Sequence, residues 1–596
     1  MPDACLITTT TSTPSTVNQK AQVKGIDRPI SPPPFRGKRS ATPTLAAHGQ
    51  PPDQLPAGRT TALLSNADHA NPVQYIRSPI QLTCIKDLSP ESNADTVRLG
   101  EILGDPMIRE CWNFNFLFDI DFVMAHFDPD VRALVKVKIV HGFWRRDDER
   151  RIELMEDAQR YPDVEPISAY IPDPFGTHHS KMLILFRHDN FAQVIIHTAN
   201  MISRDWGNMT QAVWRSPLLP LQTQATTLDT QSYPIGSGER FKTDLCHYLG
   251  AYEKRLTKLT TQLFNYDFSA IRAAFIGSTP SRQKPVNAEP WNHTSWGWLG
   301  LREVLSTIPI VRPEPISTPN IVIQVSSIAT LGATPAWLTH FQSVLSRSST
   351  TSFTSTSSSA SAKSSFFTKR EANTLSNSTR MPAPKFHIIF PTPHEIRTSL
   401  DGYNSGASIH TKLQSAAQQK QLQYLLPLLC HWKHENHAVP ERRKAERGSA
   451  APHIKTYIRF TDAAMRNIDW AMVTSANLSK QAWGEMENKK NEVWIQSWEC
   501  GVVVWPALFN TSSLPADTVT MVPVFGKDTP GPDECERDDG SLERMGSERK
   551  RVVVGFHMPY DLPLVGYGAD EVPWCASAVY EETDWKGQRW SGFQPR

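Results

Sequence analysis

Cysteine is sparse and scattered: eight in 596 residues (Cys5, Cys84, Cys111, Cys246, Cys430, Cys500, Cys535 and Cys575), with no C-x-x-C pair. That spacing excludes a zinc ribbon and a secreted disulfide framework, and predicts a reducing compartment. Long apolar runs are missing as well. Leu425–Cys430 and Val502–Trp505 fall far short of the roughly 20 residues that a membrane span needs, and Met1–Thr16 lacks the basic start and apolar stretch of a secretory leader. An intracellular protein in solution, with no membrane partner, is expected. Nor does charge of one sign dominate: 62 Lys+Arg against 60 Asp+Glu leave a formal charge of +2. Without a global cationic field, any anionic partner must be held by a local site.

At roughly 100–200 residues per domain, the length predicts two or more domains. Residues 1–75 are rich in Thr, Ser and Pro, with seven Lys/Arg against four Asp/Glu and no periodicity, the composition of a disordered, weakly basic tail. Its Arg36-Gly37-Lys38-Arg39 cluster reads either as a nuclear-import signal or as a solvated charge run. Disordered insertions are expected near 346–384, which is serine-rich, and near 433–449 and 527–551, which mix Pro, Gly and dense charge. Between them, apolar runs alternate with helical patterns: Val135–Val140, Met182–Phe186, Val194–His197, Ile321–Val325, Ile388–Phe390, Ile468–Val473 and Val502–Trp505. Short buried strands separated by longer helices indicate an α/β protein.

A near-duplication about 270 residues apart carries the chemistry. The first copy runs His179-Ser180-Lys181, an apolar strand, a turn, a second strand closing on Ala199-Asn200, then Trp206-Gly207. The second runs His453-Ile454-Lys455, strand, turn, strand to Ala476-Asn477, then Trp483-Gly484, with the same Ala-Asn-x5-Trp-Gly spacing. Two copies of one unit imply a duplicated domain whose halves can meet across a pseudo-twofold axis. Alternation along a strand puts each His and Lys on one face. One pocket between the copies would then hold two imidazoles, two ammonium groups and two carboxamides. That set suits a phosphodiester: Lys and Asn hold the non-bridging oxygens, one His attacks phosphorus, and the other protonates the leaving oxygen. An H-x-K triplet alone is weak, since about two arise by chance in this composition. His410-Thr411-Lys412 and His431-Trp432-Lys433, at the ends of a helical run and without a following Ala-Asn, are read as such chance occurrences.

With two H-x-K motifs the chain resembles the phospholipase D superfamily. The Asp that usually follows at a fixed distance is replaced here by Phe186 and Phe460. H-x-K followed by a distant Asn, without that Asp, is how the 3′-end type of tyrosyl-DNA phosphodiesterase differs from its lipid-cleaving relatives. The stretches Phe175–Met182, Asp205-Trp206, Pro452–Tyr457, Thr474–Lys480 and Pro559–Pro563 are similar to that family too.

The resemblance implies an α/β fold of two phospholipase D-like domains related by pseudo-twofold symmetry, each a mixed β-sheet flanked by helices, at 76–285 and 286–596. It implies that His179 is the nucleophile and His453 the general acid, with Lys181, Lys455, Asn200 and Asn477 on the phosphoryl oxygens. Gln211 and Glu499 match positions that hold the far imidazole nitrogens; which serves which histidine is open, and without the family both read as ordinary polar residues. For DNA contacts it implies Phe175 as a stacking face, Phe116 near the scissile bond, and Ser326, Ser327, Ser408, Ser479 and Lys480 on phosphates. Core packing for the two Phe, and a helix cap for Ser326 and Ser327, are the plainer alternatives.

The function so implied is hydrolysis of the 3′-phosphotyrosyl bond between DNA and topoisomerase I peptide, and of other 3′ adducts, through a phosphohistidine, leaving a 3′-phosphate. A nuclear DNA-repair enzyme is expected, monomeric and acting on single-stranded or frayed double-stranded DNA 3′ ends, with no metal and no cofactor. Its rivals are a phospholipase D-type lipid phosphodiesterase and a non-catalytic DNA-end scaffold.

Overall fold

Each of the seven apolar runs named above overlaps a strand, and the strands assemble into two large mixed sheets of one repeated plan. The computed structural model describes residues 73–222, 233–285, 295–310, 317–349, 382–433, 442–510, 518–535 and 551–592.

In the first sheet the order is Ile80–Leu82, Ala212–Arg215, Phe191–His197, Met182–Arg187, Ile108–Phe114, Lys136–His141 and Val164–Ser168, with Leu219–Pro220 added beside Phe191–His197. The last three strands of that order run parallel, and the rest pair antiparallel. The second sheet repeats both order and direction: Ala274–Ser278, Glu499–Val504, Ile468–Thr474, Thr456–Phe460, Asn320–Gln324, Lys385–Ile389 and Leu429–Cys430.

Strands buried on both faces need apolar residues at every position rather than alternate ones. Met182, Ile184 and Phe186 enter a core shared with Ile458, Phe460, Val473 and Val502 of the second sheet. Leu183 and Leu185, on the opposite face, pack with residues of the helices Leu99–Leu103, Ile120–Ala125 and Glu149–Ala158. The second sheet's outer face is covered by Gly297–Thr307 and Ala336–Leu345. Among the described residues no helix is long and apolar enough to cross a membrane, and six cysteines are buried free thiols.

The boundaries differ from the sequence reading. Ala274–Ser278, upstream of the expected break at 285, lies in the second sheet, paired with Glu499–Val504. Val73–Ile76, at the end of the expected tail, pairs in parallel with Arg551–His557, which pairs in turn with Val519–Val524. Pairing over that distance leaves no trace in local composition. The ends of two expected insertions are likewise ordered: Arg447 is buried and donates to the Thr83 carbonyl, and Asp528 is buried against His557. Residues 350–381, 434–441 and 536–550, most of the first and third insertions and about half of the second, and residues 1–72 of the tail lie outside the described residues.

Candidate active site

Both H-x-K motifs arrive just before a strand rather than within it, since the strands begin at Met182 and Thr456. Alternation still holds. His178 and Ser180 turn away from the site, where His178 Nε2 meets Tyr252 Oη at 2.9 Å and Ser180 Oγ meets Tyr248 Oη. These two tyrosines come from the end of helix Gly238–Gly250 and the turn after it, and Trp498 stacks on Tyr252 at 3.8 Å. His179 and Lys181 therefore face the opposite way.

Each motif is docked onto the other half. His179 N donates to Trp498 O at 2.9 Å, and His453 N to Thr210 O at 3.1 Å, while Ala451–Pro452 pairs with Met209–Thr210. Gly176 makes the first docking possible: a Cβ there would sit 2.2 Å from Gln496 O, so only glycine lets the two segments approach.

The same exchange decides which residue orients which histidine. His179 Nδ1 lies 3.0 Å from Glu499 Oε2, which also accepts from Ser475 Oγ. His453 Nδ1 lies 3.1 Å from Gln211 Nε2 and 3.3 Å from Gln211 Oε1, and Gln211 Oε1 accepts from Thr198 Oγ1 at 2.7 Å. Thr198 and Ser475 are equivalent, each two residues before the Asn, so the orienting device is duplicated and crossed between the halves. Sequence reading missed both hydroxyls, although the shared Thr/Ser-Ala-Asn triplet was a signal for them.

One residue breaks the symmetry. Asp205 is fully buried; its Oδ2 accepts from Asn200 N at 2.7 Å and Asn200 Nδ2 at 2.9 Å, and lies 3.3 Å from His453 Nδ1. The matching position in the second copy, five residues after Asn477, is Ala482. Only His453 thus has two acceptors, a carboxylate and an amide oxygen, beside one ring nitrogen. Asn477 is held differently: its Oδ1 accepts from Ser326 N, Ser326 Oγ and Ser327 N at 2.9–3.3 Å. Oxygen thus pinned leaves the Asn477 amide nitrogen to donate.

The charge is concentrated and dry. Lys181 and Lys455 are both fully buried, with Nζ curled onto the carbonyls of His179 and His453. Burial pushes the Lys181 ammonium down to about 8. Burial, then the charge of Lys181, drives Lys455 well below its ordinary range, against the pull of Asp205 and Glu499. Burial and then Lys181 bring the His179 imidazole down to about 4, although Glu499 opposes them. His453 is driven well below its ordinary range by burial, then Lys455 and Lys181. Two buried lysines thus face two buried carboxylates, Asp205 and Glu499, and because burial depresses both ammonium groups, a bound anion would favour their charged forms.

The remaining sequence candidates divide. Phe116 lies beside the His179 ring, with centroids 5.7 Å apart, and Phe175 stands on the rim, 73% exposed. Ser408 Oγ donates to Asp205 Oδ1 at 3.3 Å and so reaches the chamber through that carboxylate. Ser326 and Ser327 form no helix cap; their N–H groups are spent on Asn477. Ser479 caps Lys480–Trp483, accepting from Ala482 N at 3.0 Å, and Lys480 is the first residue of that helix. Of the two triplets set aside, His431 is paired at 3.0–3.2 Å with Glu395 and Glu571. His410 is different: burial, then Arg204, Lys455 and His179, hold its ring down to about 4, so it belongs to the flank of the site.

The sequence profile of the family described as tyrosyl-DNA phosphodiesterase matches residues 79–568. The Schizosaccharomyces pombe protein named "Probable tyrosyl-DNA phosphodiesterase" is 29% identical, covering 87% of this chain and 96% of its own. Tyrosyl-DNA phosphodiesterase 1 of Arabidopsis thaliana is 26% identical, over 87% of this chain and 77% of its own. The crystal structure of the yeast tyrosyl-DNA phosphodiesterase superposes with a TM-score of 0.54 at 20% identity, over 84% of this chain and 99% of that one, and shares its fold. The chain belongs to the tyrosyl-DNA phosphodiesterase family, phosphodiester hydrolases of DNA repair.

Proposed function

We propose that the protein hydrolyses the bond between a DNA 3′-phosphate and the tyrosine of a topoisomerase I peptide, and releases other 3′ adducts exonucleolytically by the same route. The observation that carries this reading is the crossed pair of oriented histidines above two buried lysines. Nδ1–H of His179 donates to Glu499, so the lone pair rests on Nε2, and a depressed imidazole is neutral and nucleophilic at pH 7. Attack forms an Nε2–P bond and breaks the bond from phosphorus to the phenolic oxygen. His453, charged when the phosphate offsets the lysines, gives its Nε2 proton to that oxygen, while Asp205 and Gln211 hold Nδ1–H. Water then loses a proton to His453 and attacks phosphorus; the P–N bond breaks, His179 returns neutral, and DNA leaves as a 3′-phosphate.

Lys181, Lys455 and the carboxamides of Asn200 and Asn477 hold the phosphoryl oxygens, supplying the charge that a metal clamp supplies elsewhere. One chain provides both halves of the site, which supports a monomer. A DNA 3′-end substrate, together with the Arg36–Arg39 cluster, supports a nuclear location. The test uses a labelled 3′-phosphotyrosyl oligonucleotide in EDTA. His453→Ala should accumulate an acid-labile protein–DNA adduct, since phenolate is a tolerable leaving group but hydrolysis lacks its base; His179→Ala should form none. Reversed behaviour exchanges the roles, and no cleavage by the wild type in EDTA refutes the reading.

A further inference from the structure

Asp205 and Glu499 offset the two buried lysines, which leaves one cation beside the chamber without a counter-charge. Arg204 is the second residue of the helix Ser203–Gly207 and the chain neighbour of Asp205. Its guanidinium is half-buried and makes no ion pair among the described residues, and its Nε is buried without a hydrogen-bond partner. Asp205 does not serve it, since the two carboxylate oxygens are taken by Asn200, Ser408 and His453. A guanidinium held in this way, near two ammonium groups, costs folding energy that an arriving anion would offset.

The position favours one side of the reaction. Arg204 is among the charges that depress His453, whereas those acting on His179 are Lys181, Glu499 and Lys455. His453 meets the leaving oxygen, so an anion at Arg204 belongs to the departing adduct. The scissile phosphate is not that anion, because Lys181, Lys455, Asn200 and Asn477 already serve its oxygens. The segment Ser408–His410 closes this flank: Ser408 Oγ donates to Asp205 Oδ1, and His410 bridges to Ser327. Of the charges acting on the His410 ring, Arg204 is the largest. That ring is uncharged at neutral pH, so the guanidinium is the charge that a ligand meets there.

We infer that Arg204, flanked by His410, is an anion subsite on the leaving-group side: it takes a carboxylate carried by the adduct. The carboxylate can be the α-carboxylate of a terminal tyrosine or the acidic side chain of a residue next to the tyrosine. The inference rests on the proposed roles of His179 and His453. It makes the enzyme prefer acidic remnants to neutral ones that leave through the same phenol.

Two pairs of 3′-phosphotyrosyl oligonucleotides test it: N-acetyltyrosine against its amide, and an N-acetyl Tyr-Asp amide against its Tyr-Asn counterpart. With the full-length protein, kcat/KM should favour the acidic member of at least one pair by about 3- to 10-fold, and the pair that responds identifies the source of the carboxylate. Arg204→Gln should bring that ratio to about 1. Gln is what the second copy carries at the matching position, Gln481, so the helix accommodates it. Arg204→Lys, which keeps a charge, should retain part of the preference, and a shared unfolding temperature shows that both variants fold. No preference in the wild type, or a preference kept by Arg204→Gln, overturns the subsite and leaves the catalytic proposal standing. Equal slowing of both members by Arg204→Gln, with weaker binding of a 3′-hydroxyl strand, would place the guanidinium on DNA phosphates and overturn the subsite as well. Wild type that cleaves none of the four substrates overturns both.

Discussion

Replacing Glu499 tests whether the two histidines are oriented across the halves. The carboxylate sits 3.0 Å from His179 Nδ1 and is itself fixed by Ser475. A hydrogen bond to a charged group contributes about 1.5–3 kcal/mol, or roughly 10- to 150-fold in rate if it acts fully in the transition state. Glu499→Ala also frees the ring to take the tautomer with hydrogen on Nε2, which cannot attack, so it belongs near the upper end. Glu499→Gln keeps an acceptor and loses the charge, so about 10-fold is expected. Both losses should fall on the first step, tyrosine release. Gln211 makes a neutral contact to His453, for which about 0.5–1.5 kcal/mol gives a 2- to 12-fold loss. That loss should fall mainly on adduct hydrolysis. Single-turnover quenching of a 3′-phosphotyrosyl oligonucleotide, with substrate, adduct and product resolved on a denaturing gel, separates the two steps. If Glu499→Ala accumulated adduct and Gln211→Ala slowed only its formation, the crossed assignment would be refuted.

Two further outcomes are expected. The pH profile of kcat/KM, which reports the free enzyme, should fall on the acid side as His179 takes a proton near pH 4, decline at higher pH because the general acid His453 is also depressed and less of the free enzyme carries its proton, and fall further as Lys181 loses its proton near pH 8. All three groups are depressed, so the active form, neutral His179 with charged His453 and Lys181, is lost in both directions; a flat profile from pH 6 to 10 would count against His453 as the acid and against Lys181. Gly176→Ala places a Cβ 2.2 Å from Gln496 O and 2.8 Å from Ile171 Cγ2, which should destabilise the fold by about 1–3 kcal/mol and lower activity by loosening the segment that carries His179. Thermal unfolding and kcat/KM measured together check it, and an unchanged melting curve would show that the docking tolerates movement.

What the sequence determined by itself was whatever repeats locally. Short apolar runs such as Met182–Phe186, and Ile468–Val473 around its single Asp469, read as strands covered on both faces, and such strands they are. The duplicated His-x-Lys and Ala-Asn spacing pointed to one site made from two units, because identical spacing survives only where identical local geometry is needed. Tertiary structure alone decided the rest. His179 and Glu499 are 320 residues apart and His453 and Gln211 are 242 apart, so no local pattern records their pairing. The same holds for Ala274–Ser278 crossing into the second sheet and for Val73–Ile76 meeting Arg551–His557. Asp205 and His410 show the limit most directly. One follows Asn200 and the other opens an unrelated triplet; the returning chain brings the Asp205 carboxylate to balance the two buried lysines and sets the His410 ring on the flank, beside Lys455 and His179.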